Sequence, residues 1–320
     1  MKMNTVKKTD LLLLLLFAMF VLPMSTEAKT FKVKVIYPGQ LWNSINLYVD
    51  QITDITIVGS INKVDMRQIR HMKNLHKLDL SDSYIIDSGD SISHDMFEGM
   101  TSLRWVVLPA NIIYVSANTF SDCNRLKYVG LPVSLEYIGT NAFRNCIDLQ
   151  HIYLPKGLKT IDTCAFVGCS SLKNIRLPES VSTLGNAAFF NCNNLRSAHL
   201  SESLTEIGIG CFYNCVNLKE VNLPSSLLKV SANCFYNCKK LKVVSGGYNL
   251  LGIGYNAFMN CKSLKTVDIQ AQNPPELAFN FATSVNSNCI VFVPIDAAKR
   301  YLANNLWGNF KTIRVKSASR

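Results

Sequence analysis

Residues 142–161 read AFRNCIDLQHIYLPKGLKTI, and this pattern of residue types returns every 23 residues. One register holds across eight copies, each marked by a phenylalanine: Phe97, Phe120, Phe143, Phe166, Phe189, Phe212, Phe235 and Phe258. Leucine always follows six residues after the phenylalanine, and cysteine follows three residues after it in seven of the eight copies. A fixed period of this length predicts a stack of similar structural units.

The second half of each copy has the character of a short strand. Ile152 and Leu154 lie two residues apart, so their side chains point to one side of a strand, and Pro155 ends that strand because proline cannot extend the ladder. A second apolar pair, such as Leu135 and Ile138, closes the other wall of the coil. The spacing predicts a β-rich leucine-rich-repeat solenoid of about ten stacked coils with a cap at each end.

The flanks carry weaker copies and end caps. Leu75 begins a copy that is five residues out of phase, and Ile52 begins another 23 residues earlier. Phe281 keeps the phase, and an apparent aromatic helix with Tyr301 and Trp307 follows it. We therefore predict four segments: a signal peptide (1–28), an N-terminal cap with degenerate repeats (29–96), leucine-rich repeats (97–280) and a C-terminal capping element (281–320).

The first 28 residues have the features of a secretory signal peptide. Three lysines precede an unbroken apolar run from Leu11 to Leu22, and a small-residue stretch then ends at Ala28. The run has 12 residues, which is shorter than the roughly 20 that a membrane helix needs, and no later run is as long. We expect an exported chain without a transmembrane segment after signal removal, located at the cell surface, secreted or periplasmic.

Composition and charge exclude some classes of protein. The chain has 320 residues, of which 48% are hydrophobic and only 17% charged, and this composition excludes intrinsic disorder. The length alone suggests two domains, but the repeat merges them into one array. The net charge of +11 becomes +10 when residues 1–28 are removed. This basicity indicates an anionic partner.

The repeated phrase resembles the BspA-type leucine-rich repeats of bacterial surface proteins, over about residues 97–270. Residues 29–96 and 281–320 resemble the flanking caps of such proteins from Bacteroides-like bacteria. The resemblance implies surface exposure and adhesion to host or bacterial macromolecules, and it brings no catalytic motif. Two departures occur: Ser201 replaces the proline, and Gly246-Gly247 replaces Leu-Pro, so we expect a weaker strand there.

The 11 cysteines allow three interpretations. Cys211, Cys215, Cys234 and Cys238 have a spacing similar to that of a zinc ribbon. However, Cys211 and Cys234 occupy a slot that holds alanine in other copies, so buried apolar packing is the favoured interpretation. Partial disulfide pairing of stacked neighbours stays open, although an odd total excludes complete pairing within one molecule. We predict no metal site and no cofactor.

Other motifs give no catalytic site. Gly252, Gly254 and Ala257 have the letter spacing of a dinucleotide fingerprint, but the preceding strand and following helix are missing. The five histidines form no metal spacing. We therefore expect a non-enzymatic protein, with an enzyme whose site is unrecognised as the third alternative.

Residues eight and ten positions after each phenylalanine are expected to face outward on the strand surface. In the first copies they place aromatic side chains with polar tips in one area, which favours ligand binding. The predicted ligand-binding residues are Trp105, Tyr128, His151, Tyr153 and Arg176. The alternative is that these aromatics only rigidify the strand surface or are covered by the N-terminal cap.

A column seven positions after each phenylalanine is basic in seven of eight copies: Arg104, Lys127, Lys173, Arg196, Lys219, Lys242 and Lys265, with Gln150 as the exception. We call these seven residues the basic row. Like charges stacked at about 4.8 Å repel one another unless they are well solvated or meet an anion. The row indicates an acidic polysaccharide or an acidic protein surface as partner; the alternative is a hydrated row that keeps the solenoid soluble.

These observations favour a non-catalytic exported protein that binds a macromolecule, protein or polysaccharide, through the strand face. The alternative is a structural scaffold in the envelope or periplasm that holds partner proteins. Secretion argues against nucleic acid as a partner, and we expect a monomer.

Overall fold

The chain winds into a solenoid of about twelve stacked coils with a period of about 23 residues. We describe it from a computed structural model that covers residues 29–86, 89–278 and 288–316. The signal-peptide prediction and Phe281 lie outside these residues. The leucine-rich-repeat solenoid predicted above is confirmed, with slightly more coils than expected.

The first wall consists of parallel strands. Its strands are β1 (Thr30–Val35), β2 (Asp54–Ile61), β3 (Lys77–Asp79), β6 (Trp105–Val107), β8 (Tyr128–Gly130), β11 (Asn174–Arg176), β13 (Ser197–His199), β15 (Glu220–Leu223), β17 (Val243–Gly246), β19 (Thr266–Ile269), β21 (Ile290–Pro294) and β22 (Ile313–Lys316). The short β4 (Ser83–Ile85) also pairs with β2. In the central coils each residue pairs with the residue 23 positions later, as Trp105 does with Tyr128.

The second wall is built of shorter parallel strands. They are β5 (Ser91–Ile92), β7 (Tyr114–Val115), β9 (Tyr137–Ile138), β10 (Thr160–Ile161), β12 (Thr183–Leu184), β14 (Glu206–Ile207), β16 (Lys229–Val230), β18 (Gly252–Ile253) and β20 (Glu276–Leu277). They contain the second apolar residue of each coil, such as Ile138, which is fully buried.

The first wall is interrupted at two places. Residues 151–153 form no strand, and β13 and β15 belong to different sheets, although the Lys219 N–H still donates to the Arg196 carbonyl at 3.2 Å. The expectation that every coil contributes a strand is therefore wrong for one coil. The weaker strand expected at Gly246 is also not found, because β17 pairs over four residues with both neighbours. Gly246 has a φ of 97°, and a Cβ there would lie 2.2 Å from the Leu223 carbonyl oxygen, so glycine permits this pairing.

The eight phenylalanines form a continuous ladder between the walls. All eight are fully buried, and consecutive rings stack with centroids 5.1–5.4 Å apart and planes within 17° of parallel. Offset stacking of aromatic rings adds to the free energy of burial. We call this column the phenylalanine ladder.

The seven cysteines that lie three residues after a phenylalanine pack directly beside the phenylalanine ladder, and we call them the cysteine column. Each of its seven thiols donates to the carbonyl of the phenylalanine 26 residues earlier, with distances from 2.9 Å for Cys123 to 3.3 Å for Cys238. All eleven cysteines are free thiols. Burial raises the pKa of Cys123 and Cys169 to about 12, because a thiolate would be desolvated there.

Each coil turns through left-handed residues. The column two positions after phenylalanine has φ between 54° and 74° in its eight members Gly99, Asp122, Asn145, Gly168, Asn191, Asn214, Asn237 and Asn260. Asparagine tolerates this region, and its amide also bonds along the stack, as from Asn214 Nδ2 to Asn191 Oδ1 at 2.8 Å. A second turn position of the coil holds glycine for a different reason. A Cβ on Gly185 would lie 2.4 Å from the Thr163 nitrogen, so this turn needs glycine for close approach.

Helices α1 (Leu41–Ile45) and α2 (Lys63–Ile69) lie at the N-terminal end. The buried Asp65 carboxylate joins them by accepting from the backbone N–H groups of Gly39 at 2.6 Å, Leu41 at 2.8 Å and Asn62 at 3.0 Å. Three charge-assisted hydrogen bonds satisfy this carboxylate away from water.

At the C-terminal end the predicted single helix is divided. Two short 3₁₀ turns, Ile295–Ala297 and Trp307–Asn309, flank α3 (Ala298–Ala303), and the chain then returns as the unpredicted strand β22. Tyr301 donates to the Ala271 carbonyl at 2.9 Å and Trp307 Nε1 to the Pro275 carbonyl at 2.7 Å, so both aromatics are buried against the last coils. The limits of the four predicted segments stay a prediction.

Truncation of one rung of the phenylalanine ladder should be strongly destabilising. In Phe189→Ala, stacking with both Phe166 and Phe212 is lost and a cavity remains, so we expect unfolding to be easier by about 3–5 kcal/mol. Urea unfolding followed by far-UV circular dichroism measures the shift. The exposed Tyr153→Ala is the control and should stay within about 0.5 kcal/mol of the parent. Equal midpoints for the two variants would contradict a core role for the ladder.

The thiols should be unreactive while the protein is folded. The raised pKa values keep them protonated at pH 8, and burial blocks access, so we expect iodoacetamide to spare the cysteine column. Cys164 is the half-buried exception and should be alkylated first. Peptide mapping by mass spectrometry after native labelling gives the order, and urea should expose all eleven. Column cysteines found in disulfides in the non-reduced protein would overturn this expectation.

Candidate functional site

Trp105 and Tyr128 form a stacked pair on the outer face of the first wall. Their ring centroids lie 5.4 Å apart, with planes 13° from parallel. Tyr128 is 39% exposed and Trp105 is half-buried. The parallel register of β6 and β8 places the two side chains directly opposite each other.

Lys77 extends this pair on the other side. Its Nζ lies 4.5 Å from the centre of the Trp105 ring, because β3 pairs with β6 so that Lys77 is opposite Trp105. A cation over an indole face is a favourable contact. Lys77 was not among the predicted site residues, because its coil is five residues out of phase with the following ones. When this offset is taken into account, Lys77 belongs to the column of Trp105 and Tyr128. We call Lys77, Trp105 and Tyr128 the aromatic platform.

His151 and Tyr153 lie on the next coil and are both exposed, Tyr153 to 79%. Within the described part of the chain, neither has a ring contact with the aromatic platform. Their coil is the one that forms no strand. The structure thus brings together Trp105 and Tyr128, and it leaves His151 and Tyr153 as separate exposed side chains.

Arg176 lines a shallow cavity of about 510 Å³ farther along the same face. The lining also includes His199, Glu220 and Asn222, and the cavity lies where β13 and β15 are not paired in one sheet. Arg176 and Glu220 form no salt bridge with each other in the described ranges, so both charges face the cavity. His199, Glu220 and Asn222 were not among the predicted site residues. Their outward columns were visible in the sequence, but the break between the sheets was not.

The basic row runs along one edge of the first wall. Six of its members are exposed, and Lys173 is half-buried with its Nζ 2.8 Å from Gln150 Oε1. The backbone aligns them, since the N–H of Lys242 donates to the Lys219 carbonyl at 2.7 Å, and that of Lys265 to the Lys242 carbonyl at 2.9 Å. The salt bridges of the described residues lie elsewhere: Lys159–Glu136, Lys229–Glu206 and Lys316–Asp268.

This face of the first wall offers cations, aromatic rings and hydrogen-bonding side chains. Burial, followed by the neighbouring charge of Arg104, lowers the pKa of His76 beside the row, so this histidine adds no positive charge at neutral pH. Among the described residues, no group of three His, Cys, Asp or Glu side chains could hold a metal ion. Within the same ranges, no helix is long and apolar enough to cross a membrane.

Comparisons with known proteins agree with this architecture. A family model, the BspA type leucine rich repeat region, matches in six copies over residues 45–173, 90–215 and 159–286. A search of curated proteins gave no match.

Several solved structures are similar to the chain. The leucine-rich repeat protein TpLRR of T. pallidum is 28% identical over 54% of this chain and 71% of that chain, with a TM-score of 0.41. A leucine-rich repeat protein from Bacteroides ovatus is 20% identical over 82% of this chain and 88% of that chain, with a TM-score of 0.41. The pneumococcal vaccine antigen PcpA is 18% identical over 92% of this chain and 91% of that chain, with a TM-score of 0.40.

The family match extends from residue 45 to residue 286 and therefore covers most of the chain. It coincides with the coils that contain the phenylalanine ladder and the cysteine column. The chain belongs to the BspA-type leucine-rich repeat family, whose repeats serve protein interaction or adhesion.

Proposed function

We propose that this protein is an exported, non-catalytic binding protein that holds an extended macromolecule across the outer face of its first wall. The observation that carries the proposal is the alignment of the basic row with the aromatic platform on one solvent-facing wall. Because the coils stack regularly, outward residues at equivalent positions form continuous rows. Such a row can contact an extended polymer along its length better than it can contact a compact ligand.

Electrostatics favours an acidic polymer as the ligand. Seven cations lie in one column, and the salt bridges of the described residues involve none of them. Their mutual repulsion is relieved when an anionic chain lies along the row. An acidic polysaccharide fits because its charges recur at regular intervals, and an acidic protein surface is the second ligand class.

The aromatic platform supplies the anchor. Trp105 and Tyr128 present a stacked surface that loses little side-chain entropy on binding, because both rings are already ordered by the register and by Lys77. Arg176 and the cavity around it add hydrogen-bond donors and acceptors farther along the same face. His151 and Tyr153 lie between these two places and complete the proposed contact surface.

Binding should depend on the basic row and on salt. The triple variant Lys127→Gln, Arg196→Gln, Lys219→Gln removes three exposed charges worth about 0.5 kcal/mol each, so we expect about tenfold weaker binding to acidic polysaccharides on a glycan array and in calorimetry. The matched control, Lys32→Gln, Lys156→Gln, Lys299→Gln, removes the same charge from exposed lysines outside the row.

The two triple variants separate a local row from a general basic surface. Equal losses of affinity in both variants would show that only net charge matters.

The double variant Trp105→Ala, Tyr128→Ala should weaken binding by at least about tenfold, as loss of an aromatic anchor does. Unchanged binding in this variant would refute the platform as anchor. Capture of a stable protein partner without any glycan binding would instead support a scaffold.

Export should depend on the first 28 residues. We expect the mature protein to begin at Lys29 and to appear in the envelope or the medium, because the apolar run from Leu11 to Leu22 directs secretion. N-terminal sequencing and cell fractionation measure this. Replacing Leu14 and Leu15 by arginine should retain the protein in the cytoplasm, whereas the same change at the exposed Lys32 and Lys34 should not. An unprocessed N-terminus in exported material would contradict the predicted cleavage.

A further inference from the structure

A second cavity lies on the second wall, on the other side of the solenoid from the basic row. Its volume is about 490 Å³, and its lining includes His94, Tyr114, Tyr137, Thr140 and Asp162. It shares no residue with the proposed strand-face site. β7, β9 and β10 hold it in place, because Tyr114 pairs with Tyr137 and Tyr137 with Thr160 in the parallel register.

A carboxylate is held rigidly in this cavity. Asp162 Oδ2 accepts hydrogen bonds from the Tyr137 hydroxyl and from Thr140 Oγ1, the latter at 2.9 Å, and Oδ1 accepts from the Thr163 N–H at 2.6 Å. The turn column of this position holds glycine in other coils, as at Gly185 and Gly208. A charged side chain therefore replaces a turn residue in this one coil.

The hydrogen bonds determine what the cavity offers to a ligand. Tyr137 and Thr140 both use their single proton on Asp162, so their oxygens turn only lone pairs toward the cavity. Burial favours the neutral acid, but the bonds from Tyr137, Thr163 and Thr140 outweigh it and lower the pKa of Asp162. Burial and the adjacent carboxylate raise the pKa of Tyr137 to about 12, so the proton stays on the phenol. The cavity thus presents a negative charge and acceptors.

Among the described residues, Asp162 takes part in no salt bridge; those of this wall are Lys159–Glu136 and Lys229–Glu206. Two phenol rings line the cavity together with this carboxylate: those of Tyr114 and Tyr137 have centroids 6.0 Å apart and planes tilted by 52°, and Tyr114 is 46% exposed. Aromatic faces beside a fixed carboxylate attract an organic cation with an aliphatic stem.

We infer that this cavity binds a lysine side chain of a partner polypeptide. The ε-ammonium group donates hydrogen bonds to Asp162 and to the oxygens of Tyr137 and Thr140, and its methylene stem lies against the rings of Tyr114 and Tyr137. The ligand supplies a positive charge that complements the carboxylate of Asp162, and it supplies donors for the acceptor oxygens of Asp162, Tyr137 and Thr140. This surface is separate from the basic row and would recognise a partner of opposite charge.

The probe is Nα-acetyl-lysine methylamide, titrated into the purified full chain and followed by saturation-transfer NMR. We expect saturable binding, and at least tenfold weaker binding of the Nε-acetylated analogue, which has no charge. A Gly-Lys-Gly peptide should bind more tightly than butylamine. Equal affinities of those two ligands would overturn the assignment to a polypeptide, and equal affinities of the charged and acetylated lysines would overturn the ammonium site.

Variants test the residues of the cavity. Asp162→Asn should weaken lysine binding at least tenfold, whereas the matched change Asp148→Asn, at a half-buried carboxylate outside the cavity, should leave it unchanged. If Asp162→Asn impairs folding, the exposed Tyr114→Ala provides the test and should weaken binding about threefold or more. Absence of saturable binding in the parent, unchanged binding in both cavity variants, or preferential binding of neutral sugars would each refute the proposal. Binding of acidic polysaccharides by the strand face is measured separately and does not affect these outcomes.

Discussion

The central part of the structure depends on the stacking of one phenylalanine from each of eight successive coils. The ring centroids lie 5.1–5.4 Å apart, close to the spacing of about 4.8 Å between neighbouring strands. A single displacement from one coil to the next along the solenoid axis therefore allows both the stacking of the rings and the pairing of the strands. That displacement brings each thiol of the cysteine column to the carbonyl of the phenylalanine 26 residues earlier, and it places turn asparagines such as Asn191 and Asn214 within hydrogen-bonding distance of each other. An insertion between two phenylalanines would break all three ladders in that coil, which explains why the period holds at 23 residues.

The same constraint decides how function is distributed. Outward positions do not contact the core, so their residues can vary from coil to coil without disturbing the phenylalanine ladder. The column that contains Trp105 and Tyr128 continues as His151, Asn174 and Ser197, and all of them except His151 begin a strand of the first wall. The local features that we propose as sites therefore lie where a column changes its residue type, as with the aromatic platform on β3, β6 and β8 and Asp162 among the turn residues of the second wall.

The periodic part of the structure could be predicted from the sequence. The buried Leu149, the strand pair Val221 and Leu223 and the left-handed Asn145 follow from spacing alone, because every copy repeats the same evidence. The exceptions could not be predicted. The unpaired residues 151–153, the added strand β22 and the cavity between β13 and β15 depend on contacts between coils. Lys77 was not predicted because its coil is out of phase, although it lies opposite Trp105 in the strand register just as Trp105 lies opposite Tyr128.

The two walls differ in charge, and the stacking explains how they can. The first wall carries a row of like charges that repel one another, a cost that a packed core of buried phenylalanine, leucine and cysteine easily outweighs. On the second wall, two pairs of neighbouring coils carry opposite charges that form salt bridges, Glu136 with Lys159 and Glu206 with Lys229. Charges that are paired within the wall stabilise it, whereas charges that are left unpaired are available to a partner. By this criterion, the charges of the basic row and of Asp162, which form no salt bridge among the described residues, support the two binding surfaces that we propose.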